Sequence, residues 1–179
     1  IHGYYRDLAA ATDLPMIVYE IPVRTGRALS ADLLLRLFDL PNVAGIKFTS
    51  TDLYKLSILR RARPDKLFFF GFDEMFVAAA ALGCDGGIGT TYNVLGSLYT
   101  AAFEAVEEND IVTARALQEI SQDYVDLLVR IGVVPGVKLS LSLLGHDAGL
   151  ARPPIALAPD TSESALSAFL ARADVKPWL

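Results

Sequence analysis

Four short apolar segments, each followed by a stretch with helical spacing of leucine or alanine, limit the folds open to this sequence. They lie at residues 14–19, 43–48, 67–70 and 85–89. Short apolar runs of this kind are typical of strands buried on both faces of a parallel sheet. Because such strands alternate with helices, we expect right-handed crossovers between them. An open doubly wound sheet and part of a (β/α)8 barrel both satisfy the pattern.

Polar residues mark where the intervening helices should begin. Ser30 is expected to cap the first, and Ser50 or Thr51 the second, since a side-chain oxygen at this position accepts a backbone N–H. Asp73 and Glu74 open the third, where carboxylates favour the positive end of the helix dipole. Thr90, Thr91 and Asn93 can cap the fourth.

The strand pattern stops after residue 110. Amphipathic helices are predicted instead, at 111–131, 137–144 and 162–173, with an irregular linker at 152–159. We therefore divide the chain into four strand–helix units at 1–110 and C-terminal helices at 111–179. A complete (β/α)8 barrel takes ~250 residues, so 179 residues supply at most half of one.

Composition excludes several classes of protein. The formal net charge is −5 and Lys and Arg form no long run, so we expect no nucleic-acid partner. No apolar stretch is long enough for a membrane span, and the N-terminal residues lack the pattern of a signal peptide. Cys84 is the only cysteine, which fits a reducing compartment and predicts a cytoplasmic protein. His2 and His146 have no ligand-spaced partner, so no metal site is expected.

Lys47 stands near the end of the second predicted strand, in an otherwise apolar segment. Lysine is rarely buried without a purpose, although its stem can also run along a sheet edge while the ammonium reaches water. A functional alternative is nucleophilic attack on a ketone, which needs the neutral amine that burial favours. Lys138 is a second candidate amine, but its place at the start of a predicted helix favours a solvent or subunit contact.

Tyr19 ends the first strand and should lie beside Lys47, since the carboxyl ends of parallel strands meet at one edge where α/β folds bind ligands. Its phenol is either a core residue or, with the lysine, a general acid or base.

Acidic side chains and glycines follow the third and fourth strands: Gly71, Asp73 and Glu74, then Gly86, Gly87, Gly89 and Thr90. Each fits helix capping or a tight turn as well as binding. The glycines do not match a dinucleotide or phosphate-loop motif.

Several blocks together resemble one family: Tyr19-Glu-Ile-Pro22, Gly45-Ile-Lys-Phe-Thr-Ser50, Asp52-Leu-Tyr54, Gly71-Phe-Asp-Glu74 and Asp85-Gly-Gly-Ile-Gly-Thr-Thr-Tyr-Asn93. In order and spacing they are similar to the dihydrodipicolinate synthase and N-acetylneuraminate lyase superfamily, and most of all to its sialic acid lyase branch. The resemblance implies the C-terminal half of a (β/α)8 barrel, strands five to eight, followed by helices.

The resemblance also implies a function and its residues. Lys47 would form a Schiff base with the keto acid, and Tyr19 would move the proton of the hydroxyl at the bond being broken. Thr49 would shape the pyruvate end, and other positions would hold the hydroxylated chain: Gly71, Asp73, Glu74 and Thr90. The activity implied is cleavage of N-acetylneuraminate to N-acetylmannosamine and pyruvate, without a metal or organic cofactor, in a homo-oligomer such as a tetramer.

Three departures keep alternatives open. Glu20 replaces a common Asn and should face away from Tyr19, which requires a partner for a buried carboxylate. Thr90 replaces a frequent Ser, which keeps the hydroxyl. The sequence also has no counterpart of the family's first four strands, which include the loop that binds the substrate carboxylate. Another pyruvate-dependent aldolase, such as a dihydrodipicolinate synthase, and a non-catalytic half-barrel remain alternatives.

Overall fold

A parallel four-stranded sheet forms the first part of the fold. A computed structural model describes residues 1–156, 159 and 161–179. The strands are β1 (Met16–Glu20), β2 (Val43–Phe48), β3 (Leu67–Phe70) and β4 (Gly86–Gly87). They pair in the order β1-β2-β3-β4, all in parallel, so each strand lies beside the next along the chain. The predicted parallel sheet is confirmed, with a fourth strand shorter than predicted.

Helices connect the strands and continue after them. They are α1 (His2–Ala10), α2 (Pro22–Thr25), α3 (Ala31–Phe38), α4 (Leu53–Ala62), α5 (Phe76–Ala81), α6 (Tyr92–Glu107), α7 (Ile111–Ile131), α8 (Val133–Leu143) and α9 (Ser162–Leu170), with 3-10 turns at Asp73–Met75 and Lys176–Trp178. The sequence predicted neither α1 nor α2, and α8 begins before its predicted start. Leu157 and Ala158 of the predicted linker lie outside the described residues. In the part of the chain that the structure describes, no helix is both long and apolar enough to cross a membrane.

One predicted cap is confirmed and one is wrong. Ser30 Oγ accepts the N–H of Leu33 at 3.2 Å, as a capping serine should. The cap of α4 is Asp52, not Ser50 or Thr51. Its carboxylate accepts the N–H of Lys55 at 2.9 Å, because the helix begins one residue later than a Thr51 cap requires and two later than a Ser50 cap requires.

The two faces of the sheet differ in burial. Side chains on one face are fully buried: Val18, Ile46, Phe48, Phe68 and Phe70. The alternating side chains point to the other face, where Ile17 is 38% exposed, Tyr19 45% and Leu67 43%. The expectation that the strands are buried on both faces is therefore wrong for this chain, whose described residues cover only one of them.

Contacts divide the chain into two compact units. The first comprises residues 1–72 and 78–88, and it contains the whole sheet. The second comprises residues 73–77 and 89–179, and its core lies among α6, α7, α8 and α9. Thus a five-residue segment that follows β3 in sequence packs with the helices of the second unit. The predicted division at residue 110 rested on where strands stop, and it stays a prediction.

Candidate active site

Tyr19 and Lys47 lie side by side on neighbouring strands, and their functional groups are in contact. The parallel register of β1 and β2 sets Tyr19 directly opposite Lys47. Lys47 Nζ donates to the phenolic oxygen of Tyr19 at 3.1 Å and lies 4.2 Å from the centre of its ring. The predicted neighbourhood is confirmed. An amine and a phenol at this distance can pass a proton between them.

Thr49 and Gly71 complete this cluster. The N–H of Thr49 donates to the carbonyl of Glu20 at 2.8 Å, and the N–H of Gly71 to that of Phe48 at 3.0 Å, so both residues prolong the parallel pairing beyond the strand ends. A β-carbon on Gly71 would collide with Thr49 Oγ1 and come within 3.1 Å of Lys47 Cε. Only glycine fits here without displacing these two side chains.

The Thr49 hydroxyl is buried, and among the described residues it has no hydrogen-bond partner. A buried polar group without a partner costs free energy, so such a group often marks a place where a ligand or water binds. The hydroxyl belongs to the side chain that Gly71 leaves room for, beside Lys47. This supports the predicted place of Thr49 in the site.

Glu20 has the partners that its burial requires. It is only 2% exposed and accepts the N–H of Leu29 at 2.9 Å. Lys55 Nζ lies 3.8 Å from the same carboxylate oxygen, donates to the carbonyl of Leu29 at 3.2 Å, and sits over the ring of Phe48. The carboxylate therefore faces away from Tyr19, as alternation along a strand predicts, and joins β1 to the loop before α3 and to α4.

Asp73 belongs to the second unit, where its carboxylate is buried and firmly held. Oδ2 accepts both the N–H of Thr91 at 2.9 Å and its hydroxyl at 2.6 Å. A β-carbon on Gly89 would collide with this carboxylate, so the glycine at that position lets the two segments approach. The pattern suggested helix capping or substrate binding for Asp73, and the structure adds a third role, a tie to the start of α6.

Thr91 is the residue that sequence reasoning missed at this site. Because its hydroxyl proton goes to Asp73, the Tyr99 hydroxyl donates to Thr91 Oγ1 at 2.6 Å. Tyr99 is buried and stacks on Tyr92 with ring centres 4.1 Å apart, and burial raises its pKa above the usual value. The only signal in the sequence was a second threonine beside Thr90, which suggested a cap and nothing more.

Glu74 and Thr90, the other candidates in the second unit, are more open. Glu74 is half-buried, and its pKa is raised by burial first and then by the nearby charges of Asp73 and Asp126. Thr90 is exposed, and its carbonyl accepts the side-chain amide of Asn93 at 2.8 Å. The structure thus places Lys47 and its neighbours in the first unit. Asp73, Glu74 and Thr90 lie in the second.

Lys138 and Cys84, which the sequence did not favour as site residues, have ordinary structural contacts. Lys138 lies inside α8 rather than at its start, and its Nζ donates to the carbonyl of Ala148 at 2.5 Å. Cys84 is buried, and burial raises the pKa of its thiol to about 11. Neither lies at the carboxyl end of a strand, as Lys47 does.

The sheet and the lysine–tyrosine pair at its strand ends define a class of protein, a partial (β/α)8 barrel with an amine beside a phenol. Comparison with known proteins identifies the family within that class. The model of the dihydrodipicolinate synthetase family matches residues 1–173, and the chain belongs to that family.

Relatives in this family are N-acetylneuraminate lyases. The lyase of Rhizobium meliloti is 37% identical over 166 residues, which cover 93% of this chain and 55% of that protein. The crystal structure of the Clostridium difficile protein CdNal in complex with mannosamine is 33% identical with a TM-score of 0.91, and the match covers 99% of this chain and 60% of the other. The pyruvate complex of the Fusobacterium nucleatum lyase is 34% identical with a TM-score of 0.89, covering 99% and 59%.

The chain therefore spans just over half the length of the relatives that it matches. These findings confirm the predicted resemblance to the sialic acid lyase branch. They also confirm the fold class at the level of a partial barrel, with four consecutive parallel strands followed by helices.

Proposed function

We propose that the protein is a Schiff-base lyase that cleaves a 2-keto sugar acid, N-acetylneuraminate, to N-acetylmannosamine and pyruvate. The observation that carries the proposal is the contact between Lys47 Nζ and Tyr19 OH, 3.1 Å apart at the ends of neighbouring strands. Family membership and the names of the lyase relatives support it.

The proposed reaction begins at the amine of Lys47. It attacks the keto carbon of the substrate, Tyr19 gives its phenolic proton to the hydroxyl of this adduct, which leaves as water, and a protonated Schiff base remains. The Tyr19 phenolate then takes the proton of the C4 hydroxyl as the C3–C4 bond breaks, and the electron pair of that bond moves into an enamine. The C4 oxygen becomes the aldehyde of the released sugar. Protonation of the enamine at C3 and hydrolysis then release pyruvate and restore the lysine.

Other residues of the proposed site recognise the substrate. Thr49 donates its hydroxyl to the keto-acid end, and its buried Oγ1, which has no hydrogen-bond partner among the described residues, supports this role. Asp73, Glu74 and Thr90 receive hydroxyls of the sugar chain, since carboxylate and hydroxyl oxygens accept such donors. No metal or organic cofactor takes part in this scheme, so activity should survive exhaustive chelation.

We further propose that the protein works in the cytoplasm as a homo-oligomer, and the family resemblance makes a tetramer the expected form. The half-exposed apolar side chains on one face of the sheet, Ile17 and Leu67 among them, support association with further polypeptide. Light scattering on the purified protein tests this, and a monomer at all concentrations would contradict it.

Reductive trapping tests the chemistry. The protein is incubated with pyruvate and borohydride, and the adduct is located by peptide mass; one pyruvyl group on Lys47 is expected, and none in Lys47→Ala. Tyr19→Phe should keep the adduct but slow cleavage of N-acetylneuraminate by about 10²–10⁴-fold, the usual contribution of a general acid or base.

The trapping result also separates the alternatives. An adduct with cleavage of N-acetylneuraminate supports the lyase. An adduct with condensation of pyruvate and aspartate semialdehyde instead points to a dihydrodipicolinate synthase, the activity in the family's name. A folded protein without any adduct would contradict an enzyme and leave a non-catalytic half-barrel.

A further inference from the structure

The segment that carries the acidic pair, Asp73–Val77, is held by a side chain of α7. Gln118 Oε1 accepts the N–H of Val77 at 2.8 Å, and Gln118 Nε2 donates to the carbonyl of Asp73 at 3.0 Å. One amide group thus bridges the two ends of the segment. All five residues of the segment belong to the second compact unit, as Gln118 does.

A second glutamine, one turn further along α7, also bonds to the backbone of this segment. Gln122 Nε2 donates to the carbonyl of Glu74 at 2.9 Å. Residues four apart lie on the same face of a helix, so Gln118 and Gln122 together bind consecutive carbonyls, those of Asp73 and Glu74. The bonds from both glutamines go to backbone atoms of the segment, so they fix where each acidic side chain begins.

The orientation of the Gln118 amide is itself fixed. Its nitrogen also donates to Ser121 Oγ at 2.5 Å, and that hydroxyl, which is fully buried, donates to the Gln118 carbonyl at 2.8 Å. The Asp73 carbonyl can only accept and the Val77 N–H can only donate, so a flipped amide would lose both of these bonds. The Gln118 amide therefore holds the segment in a single orientation of its oxygen and nitrogen.

We propose that Gln118 and Gln122 are positioning residues for the acidic pair Asp73–Glu74, through which the helical part of the chain sets affinity for the hydroxylated end of the substrate. This inference rests on the proposed function. It adds to that function a specificity device on α7, outside the strand ends that carry Lys47 and Tyr19.

Replacing these glutamines should affect cleavage of N-acetylneuraminate but not trapping of pyruvate. Trapping of pyruvate needs Lys47 but no sugar hydroxyl, so it should not depend on the glutamines. Cleavage of N-acetylneuraminate needs both Lys47 and binding of the sugar hydroxyls. Removing a glutamine should therefore raise KM and change kcat little, because binding is weakened equally in the ground state and in the transition state.

The experiment compares Gln118→Met and Gln122→Met with the control Glu119→Met, an exposed position on the same helix. Methionine keeps the length of the side chain and removes its hydrogen bonds. In Gln118→Met, KM for N-acetylneuraminate should rise about tenfold, equivalent to about 1.4 kcal/mol or one hydrogen bond to a carboxylate. The rate of pyruvate trapping should stay within about twofold of wild type. Gln122→Met should show a smaller rise in KM, and Glu119→Met none.

Each outcome decides the proposal. A rise in KM with unchanged trapping supports it. Unchanged KM in both glutamine variants overturns it, and so does an equal loss of trapping and cleavage, since that would show a general structural role. If Gln118→Met does not fold, the exposed Gln122→Met decides alone. If the wild-type protein forms no pyruvyl adduct, the proposed function fails and this inference falls with it, a result distinct from trapping with unchanged KM.

Discussion

Replacing Gly71 by alanine should disable the lysine site through the volume of one methyl group. The new β-carbon would overlap Thr49 Oγ1 and lie 3.0 Å from Thr49 Cβ and 3.1 Å from Lys47 Cε. The backbone itself accepts alanine here, because Gly71 is not among the residues with a positive φ. Space is therefore the only obstacle, and the side chains that must move are those proposed to carry the chemistry.

The expected effect of Gly71→Ala on stability and on the trapping rate follows from this crowding. Inserting a methyl group into a packed site typically costs about 1–3 kcal/mol, and for a chain of this size each kcal/mol lowers the melting temperature by roughly 2–4 °C. A displacement of about 1 Å at a reacting group can slow a reaction by about 100-fold. We expect Gly71→Ala to melt several degrees lower and to trap pyruvate on Lys47 about 100 times more slowly.

The assay is the rate of borohydride trapping, measured by intact mass, with a melting curve for each variant. Gly96→Ala on α6 is the matched control, since its β-carbon would meet no atom of the described part of the chain within 4 Å. It should stabilise the protein by about 0.5–1 kcal/mol and leave trapping unchanged. Adding Thr49→Ala to Gly71→Ala should recover part of the lost stability, because it removes the overlapping hydroxyl. Wild-type trapping and melting in Gly71→Ala would refute the steric argument.

Three further predictions concern charge and burial. Glu20→Ala should lower the free energy of unfolding by about 2–4 kcal/mol in urea titrations, more than Glu20→Gln, because Lys55 at 11% exposure loses its buried partner. Burial raises the Glu74 pKa from 4.5, so the folded protein holds this proton more tightly and loses stability as pH rises through the raised pKa. Glu74→Gln should therefore raise the melting temperature by about 1–2 °C at pH 7 and by less at pH 4. Equal shifts at the two pH values would contradict this. The buried Cys84 thiol, with its pKa raised to about 11, should react with a thiol reagent at least about 100-fold faster in urea than in the native state.

The contact between Tyr19 and Lys47 could be predicted because it depends on two strong regularities. Parallel strands align their carboxyl ends, and successive strand–helix units place consecutive strands side by side. The sequence marked both strand ends, and the observed register sets the two residues opposite each other. The burial of Glu20 followed from the same alternation of side chains along a strand.

The partners of these residues could not be predicted in the same way. Lys55 reaches Glu20 from the first turn of α4, and nothing in a helical pattern tells which lysine turns inward. Thr91 looked like a capping residue, yet it binds Asp73 and Tyr99 at once. Hydrogen bonds between side chains far apart in sequence leave no periodic signal, so the pattern gave each residue a role but no partner.

The segment from Asp73 to Val77 shows why a division by secondary structure differs from a division by contact. By sequence it opens the helix that follows β3, and by contact it joins α7, where Gln118, 45 residues from Asp73, bonds to its backbone. A substitution on α7 can therefore shift the acidic pair without touching a strand end. The amine proposed to perform the chemistry and the carboxylates proposed to select the substrate therefore need not vary together, since different parts of the chain hold them in place.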